Sequence, residues 1–230
     1  KRLDPCKPTI GILASRFFSD PENHPIDLLI RAIESRGANT LPFFVQNPPS
    51  DITGAIGTRR FVEKYLVQDG KPIIDVLIIN EWFSQITLSN PTDGSNTESA
   101  YNFFNDLNIP LLHSIAVHQP YEFWKEDPLG LSATGVMSAI TWPEYDGQII
   151  SLPISALGEY DGQKKVPLAI PDRIERLADM ALRWAELKRT PVHERKLALL
   201  VWQHGLDSLA SAGGLDTPQS IIGILKNLQN

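Results

Sequence analysis

Three side chains that could bind or stabilise charge stand just past apolar runs: Arg16, Glu81 and His118. Arg16 follows Thr9–Ala14, where a guanidinium could hold a carboxylate or phosphate, or simply pair with Asp20 or Glu22. Glu81 follows Asp75–Asn80, where a carboxylate could bind a metal or other cation, or open a helix. Its neighbours Trp82 and Phe83 can stack on a flat apolar ligand or form core beneath the following loop. His118 lies just past Leu111–Ala116. A metal shared with His113 would require both rings to point the same way and a third ligand; a histidine hydrogen-bonded inside the fold is the plainer use of either. Glu144 and Asp146 flank Tyr145 before Gly147, a spacing that suits paired acids on an extended segment and equally suits an Asp-Gly turn.

Other chemistries are absent from the sequence. Gly11 has no glycines close behind it, and no phosphate-loop, G-x-S-x-G or H-E-x-x-H pattern occurs. Gly213-Gly214 could offer backbone N–H groups to an anion or act as a flexible turn. A single cysteine, Cys6, excludes an internal disulfide and a cysteine-rich zinc site. The formal charge of -6 disfavours a general nucleic-acid surface. The small basic cluster of Lys188, Arg189, Arg195 and Lys196 does not change that, because cations also suit a helix end. No apolar run approaches the roughly 20 residues that cross a bilayer, and no signal segment is evident, so a reducing, cytoplasmic setting is expected.

These residues need elements to position them. Thr9–Ala14, Thr40–Val45, Asp75–Asn80, Leu111–Ala116 and Ile149–Ile154 read as strands, and Pro42 hints at an early or edge position for the second. Between them, Pro25 opens a helix whose Ile26, Leu29, Ile30 and Ile33 form an apolar face, closed by Arg36-Gly37. Phe61, Val62, Tyr65 and Leu66, then Ser99–Leu107, Pro120–Glu126 and Leu131–Ile140 supply further helical segments. Ser84–Thr97 reads as a long loop, and Glu159–Lys165 as a polar turn. Asp172–Arg189 is the strongest helix, with Asp172 and Glu175 matching a capping box. Lys196–Trp202 reads as a last strand, followed by a helix over Pro218–Leu228 capped by Asp216 or Thr217.

Alternating strands and helices predict an α/β fold: a mostly parallel sheet flanked by helices, Rossmann-like or flavodoxin-like with three layers. Residues 1–190 form this module, and 191–230 either begin a following α/β domain or return to the first. Ligands of such sheets sit beyond the carboxyl ends of the strands, which puts Arg16, Glu81, Trp82 and His118 on one rim as binding candidates. A start at Lys1 without methionine and an abrupt end at Asn230 are what a piece of a longer protein would show.

Taken in order, several segments resemble the large subunit of the tetrapyrrole metal chelatases, the family of the cobaltochelatase large subunit and the magnesium chelatase H subunit. They are Pro8–Leu13, Ala32–Ala38, Phe61–Tyr65, Gly70–Val76, Leu107–Leu112, Trp142–Gly147, Arg183–Arg189, and Gly214–Pro218 with Ser220. The Gly214–Pro218 run is closer to the cobalt branch, whereas Phe61–Asp75 and Trp184–Arg189 are closer to the magnesium branch, with a slight lean to cobalt. One span departs from the pattern: Val201–Ala212 lacks the Asn, Pro, Lys and most glycines that relatives carry there. A loop richer in side chains is less free to wrap a ligand with its backbone.

The resemblance implies a fragment of a large subunit that binds a tetrapyrrole and takes part in Co2+ or Mg2+ insertion, in cobalamin or chlorophyll biosynthesis. It implies ATP hydrolysis on AAA+ and adaptor-type partner subunits, which accounts for the missing nucleotide motif. It also implies that the isolated piece is inactive, holds no cofactor of its own and needs the remainder of the subunit. The alternative is a small-molecule-binding or structural α/β module of a divergent paralogue.

Overall fold

The computed structural model of the chain describes residues 3–14, 24–46, 49–85, 100–160, 163–201 and 216–228. In chain order the strands are β1 (Thr9–Ala14), β2 (Asn39–Phe43), the two-residue β3 (Val67–Gln68) and β4 (Lys71–Pro72), β5 (Val76–Asn80), β6 (Leu111–Pro120), β7 (Gln148–Tyr160) and β8 (Gln163–Ala169). Six of them form one sheet in the order β2-β1-β5-β6-β7-β8. All pairs are parallel except β7–β8. β3 and β4 make a separate antiparallel hairpin, turned at Asp69 (φ 51°) and Gly70 (φ 73°). Apart from that hairpin, the parallel strands follow the flavodoxin-like order, which reverses direction at β1 and β5.

The side chains of adjacent strand residues point to opposite faces, and both faces are covered. Ile10, Ile12, Val76, Ile78 and Leu112 pack beneath two helices, α1 (Pro25–Ser35) and Pro171–Arg189. Leu13, Leu77, Ile79 and Leu111 face the opposite layer, where Val62, Leu66 and Phe104 close over them. Those residues come from α2 (Gly57–Phe61), which widens into a π-turn at Val62–Leu66, and from α3 (Ala100–Asp106). Each fully buried Ile or Leu contributes roughly 1.5–3 kcal/mol, so this double-sided burial holds the rim strands rigid.

Along the rest of the chain, α4 (Tyr121–Glu126) follows β6. The helix expected over Leu131–Ile140 is α5 (Ala133–Val136), a π-turn at Met137–Thr141 and α6 (Trp142–Glu144). Then come β7, β8 and α7 (Pro171–Arg189). β8 corrects the sequence reading, which ended this region in a turn. Its Gln163-Lys164-Lys165-Val166-Pro167 run is polar and carries a proline, a composition that suits an exposed edge and hides a strand. The capping box also needs correcting. α7 begins at Pro171 with no side-chain cap, and Glu175 and Asp179 instead pair with Arg36 of the α1 terminus, each at 2.6 Å. Those hydrogen bonds raise the Arg36 pKa above its ordinary value.

At the amino edge of the sheet, Arg189 donates to both Asp75 carboxylate oxygens and to the carbonyls of Cys6 and Lys7. Asp75 accepts from the Thr9 N–H as well, so the pair ties the end of α7 to the start of β1. Gln148, also at this edge, is 1% exposed, and neither its amide nitrogen nor its oxygen has a hydrogen-bond partner among the described residues. A buried amide without partners costs about 1–3 kcal/mol, so Gln148→Met is expected to raise stability by roughly 1 kcal/mol in urea unfolding. An unchanged or lower midpoint would contradict that.

Residues 191–230 form a second unit. Its described residues include a 3-10 turn (Val192–Glu194) and α8 (Thr217–Leu228), where Asp216 accepts the Gln219 N–H at 3.0 Å as its cap. The strand expected over Lys196–Trp202 is not formed: residues 195–201 carry no regular structure and are exposed. An apolar run becomes a strand only with a hydrogen-bonding neighbour, and none of the described strands pairs with it. Among the described residues, no helix is long and apolar enough to cross a membrane.

Candidate functional site

Parallel strands bring the ends of β1, β5, β6 and β7 to one rim. Arg16, just past β1, lies outside the described residues. Glu81, Trp82 and His118 do come together there. β5 ends at Asn80, whose buried amide donates to Ser114 Oγ (2.9 Å) and to the Ser114 carbonyl (3.1 Å), locking it to β6. The next three residues turn over the end of β6. Trp82 donates its indole N–H to the Ala116 carbonyl at 2.9 Å and packs against Ile115, Val117, Ala139 and Ala156.

The His118 imidazole lies flat on the Trp82 indole, with ring centroids 4.1 Å apart and planes 5° from parallel. The β6–β7 register shifts between Val117 and Pro120, which re-aims His118 out of the regular pleat. Cover from the indole lowers its pKa below the ordinary histidine value, so the ring is neutral at pH 7. Among the described residues, neither ring nitrogen of the exposed His118 has a hydrogen-bond partner.

His113 is used quite differently. It is fully buried, its Nε2 lies 3.0 Å from the Glu81 carbonyl, and its Nδ1 lies 3.0 Å from Ser151 Oγ. A carbonyl can only accept, so Nε2 carries the proton and Nδ1 accepts from the Ser151 hydroxyl. Burial brings its pKa down to about 4. The two histidines therefore do not converge on a metal: one braces the turn from below, and the other presents its edge above. Among the described residues, no group of three or more His, Cys, Asp or Glu side chains could hold a metal ion.

Two residues around His113 have backbone conformations that L side chains rarely adopt. Phe83 has φ 69° and Ile150 has φ 56°. Phe83 donates its N–H to the Ser138 carbonyl in the π-turn at 2.9 Å, and its exposed ring tilts over Trp142. Ile150 is the extra residue of a β-bulge: Leu112 pairs with Ile149 and His113 with Ser151, leaving Ile150 unpaired. Such strain persists where surrounding contacts over-determine the backbone, and here both sites flank the histidine that holds the turn.

Asp146 is the residue that sequence reasoning undervalued. It is 0% exposed, accepts from Ser84 Oγ at 2.7 Å and takes the Gln85 N–H on its other oxygen. Glu144 is exposed, so the two acids do not face one site. Asp146 instead clamps the turn carrying Glu81, Trp82 and Phe83 from 62 residues away in the chain. The Trp-Pro-Glu-Tyr-Asp-Gly run, conspicuous in the sequence, was the available signal. A cleft of about 490 Å³, not anticipated, lies between the end of β6 and the β7–β8 pair, where Pro120, Tyr121, Leu157, Gly158 and Leu168 line it.

Fold and rim together define a doubly wound α/β module of flavodoxin type, with an aromatic–imidazole pair at the carboxyl edge of its strands. A family model described as CobN/Magnesium Chelatase matches residues 1–230, and the chain belongs to that family. An uncharacterized protein of Methanocaldococcus jannaschii is 34% identical over 97% of this chain, which covers 18% of that relative. The chloroplastic magnesium-chelatase subunit ChlH of Oryza sativa subsp. indica is 26% identical over 100% of this chain, which covers 16% of it. The solved catalytic subunit of cobaltochelatase from Mycobacterium tuberculosis superposes with a TM-score of 0.57 and 25% identity, over 80% of this chain and 15% of that one. The chain therefore spans less than a fifth of the length of these relatives.

Proposed function

We propose that this chain is a module of a metal-chelatase large subunit that contacts a tetrapyrrole at the rim carrying Glu81, Trp82 and His118, with Arg16 as a further candidate. The observation that supports this most is the family match along all 230 residues, to relatives named for both cobalt and magnesium chelatases. Cobalt is the favoured metal, on the Gly214–Pro218 run and on the donor at the rim: neutral imidazole suits a borderline ion better than hard magnesium, which prefers oxygen. Insertion itself would use the remainder of the subunit, with ATP hydrolysed on separate partner subunits. This assigns the module to recognition and positioning of the ring.

The test is titration of the chain with a protoporphyrin and with a cobyrinic-acid-type ring, followed by tryptophan fluorescence. Saturable quenching by the corrinoid precursor at lower concentration than the porphyrin is expected. Preference for the porphyrin would move the assignment to the magnesium branch. Quenching by neither would remove the module from the ring site.

A further inference from the structure

We infer that His118 is an axial ligand for a metal already enclosed in a planar macrocycle, so that this rim recognises the metallated ring and distinguishes it from the free base. The inference rests on the tetrapyrrole reading above and adds to it the state of the ring that is bound.

The geometry is that of a single held donor. The imidazole is clamped face-on by Trp82 at 4.1 Å and 5°, while the indole is anchored to the Ala116 carbonyl at 2.9 Å. That leaves the in-plane nitrogens, which carry no hydrogen bond among the described residues, at the edge of the stack. A bare metal ion needs three or more protein donors, and the described residues offer no such group. A metal inside a macrocycle has its four equatorial positions filled and asks for only one more ligand. A single held imidazole nitrogen meets that need and not the first.

The coordination step is a simple exchange. The lone pair of the unprotonated ring nitrogen forms the metal–nitrogen bond and the axial water leaves. No electron is transferred. A macrocycle held this way stands at a steep angle to the imidazole, and therefore to the Trp82 indole parallel to it. Trp82 thus orients the ligand rather than stacking on the ring. The apolar cleft of Pro120, Tyr121 and Leu157, starting two residues beyond His118, offers a surface for the edge of the ring.

The test compares zinc deuteroporphyrin with free-base deuteroporphyrin, titrated into the whole 230-residue chain and into H118A, W82L and H193A. The wild-type chain is expected to bind the zinc ring roughly tenfold more tightly than the free base, with the red-shifted Soret band of a five-coordinate imidazole adduct. H118A should lose both the shift and the preference, while millimolar imidazole restores the shift. W82L should keep the shift but weaken binding several-fold, and H193A, at an exposed histidine, should match wild type. Equal affinity for both rings in the wild-type chain, or a shift that survives in H118A, overturns the axial role and leaves the tetrapyrrole reading standing. Binding of neither ring overturns the axial role, and if the cobyrinic-acid-type ring also fails to bind, the tetrapyrrole reading falls with it.

Discussion

Replacing Asp146 by alanine is expected to destabilise the first unit by roughly 3 kcal/mol, while Asp146→Asn costs about 1 kcal/mol. The carboxylate is wholly buried and serves two donors at once, the Ser84 hydroxyl and the Gln85 N–H. Alanine strips both of that acceptor in a water-free site and leaves a void. Asparagine can turn its carbonyl to the Gln85 N–H and give its amide to Ser84, whose hydroxyl accepts as readily as it donates. In a unit of this size the alanine variant should lower Tm by about 10 °C. It should also release Trp82 from its anchored position, read as a red shift in tryptophan emission. Equal costs for the two substitutions would show that the acceptor pair is not what holds the turn.

The second large effect is on acid stability. His113 protonates near its ordinary value of 6.5 in the unfolded chain, but only at about 4 in the fold. Between those values the unfolded state binds the extra proton, so stability rises with pH across the window. Its contribution is intact above pH 6.5, falls as pH is lowered, and is fully lost below 4. A difference of about 2.5 pH units corresponds to roughly 3 kcal/mol. His113→Gln can still donate to the Glu81 carbonyl but cannot titrate. Subtracting its pH–stability curve from the wild-type curve should leave a slope confined to pH 4–6.5. A flat difference would mean that water reaches the ring and that it does not hold the turn from a dry interior.

Much of the fold was legible because the decisive signals are local. The unbroken apolar runs of β1 and β5 could only be strands covered on both sides, and Pro25 with Gly37 bracketed α1. Rim candidates could be named one at a time, since a residue just past a parallel strand must lie at its carboxyl edge. What could not be read was which of them touch. The Trp82–His118 stack depends on β5 and β6 being neighbours, and Asp146 acquires its role only when its loop meets residues 84 and 85. β8 was missed because an edge strand is selected to look unlike one, and Lys196–Val201 was misread because apolarity alone supplies no partner.

Ile150 carries a consequence for how this chain tolerates change. One additional residue resets which side of β7 faces inward, so that Ile149 and Ile150 both lie outside and Ser151 meets the histidine. Removing that residue would relieve a strained backbone and leave Ile149 and Ser151 alternating as ordinary neighbours, so that Leu112 still meets Ile149 and His113 still meets the serine. A solvent-facing position of this kind accepts many replacements of its side chain, and its own loss as well. Homologous sequences aligned across it should vary there both in letter and in count.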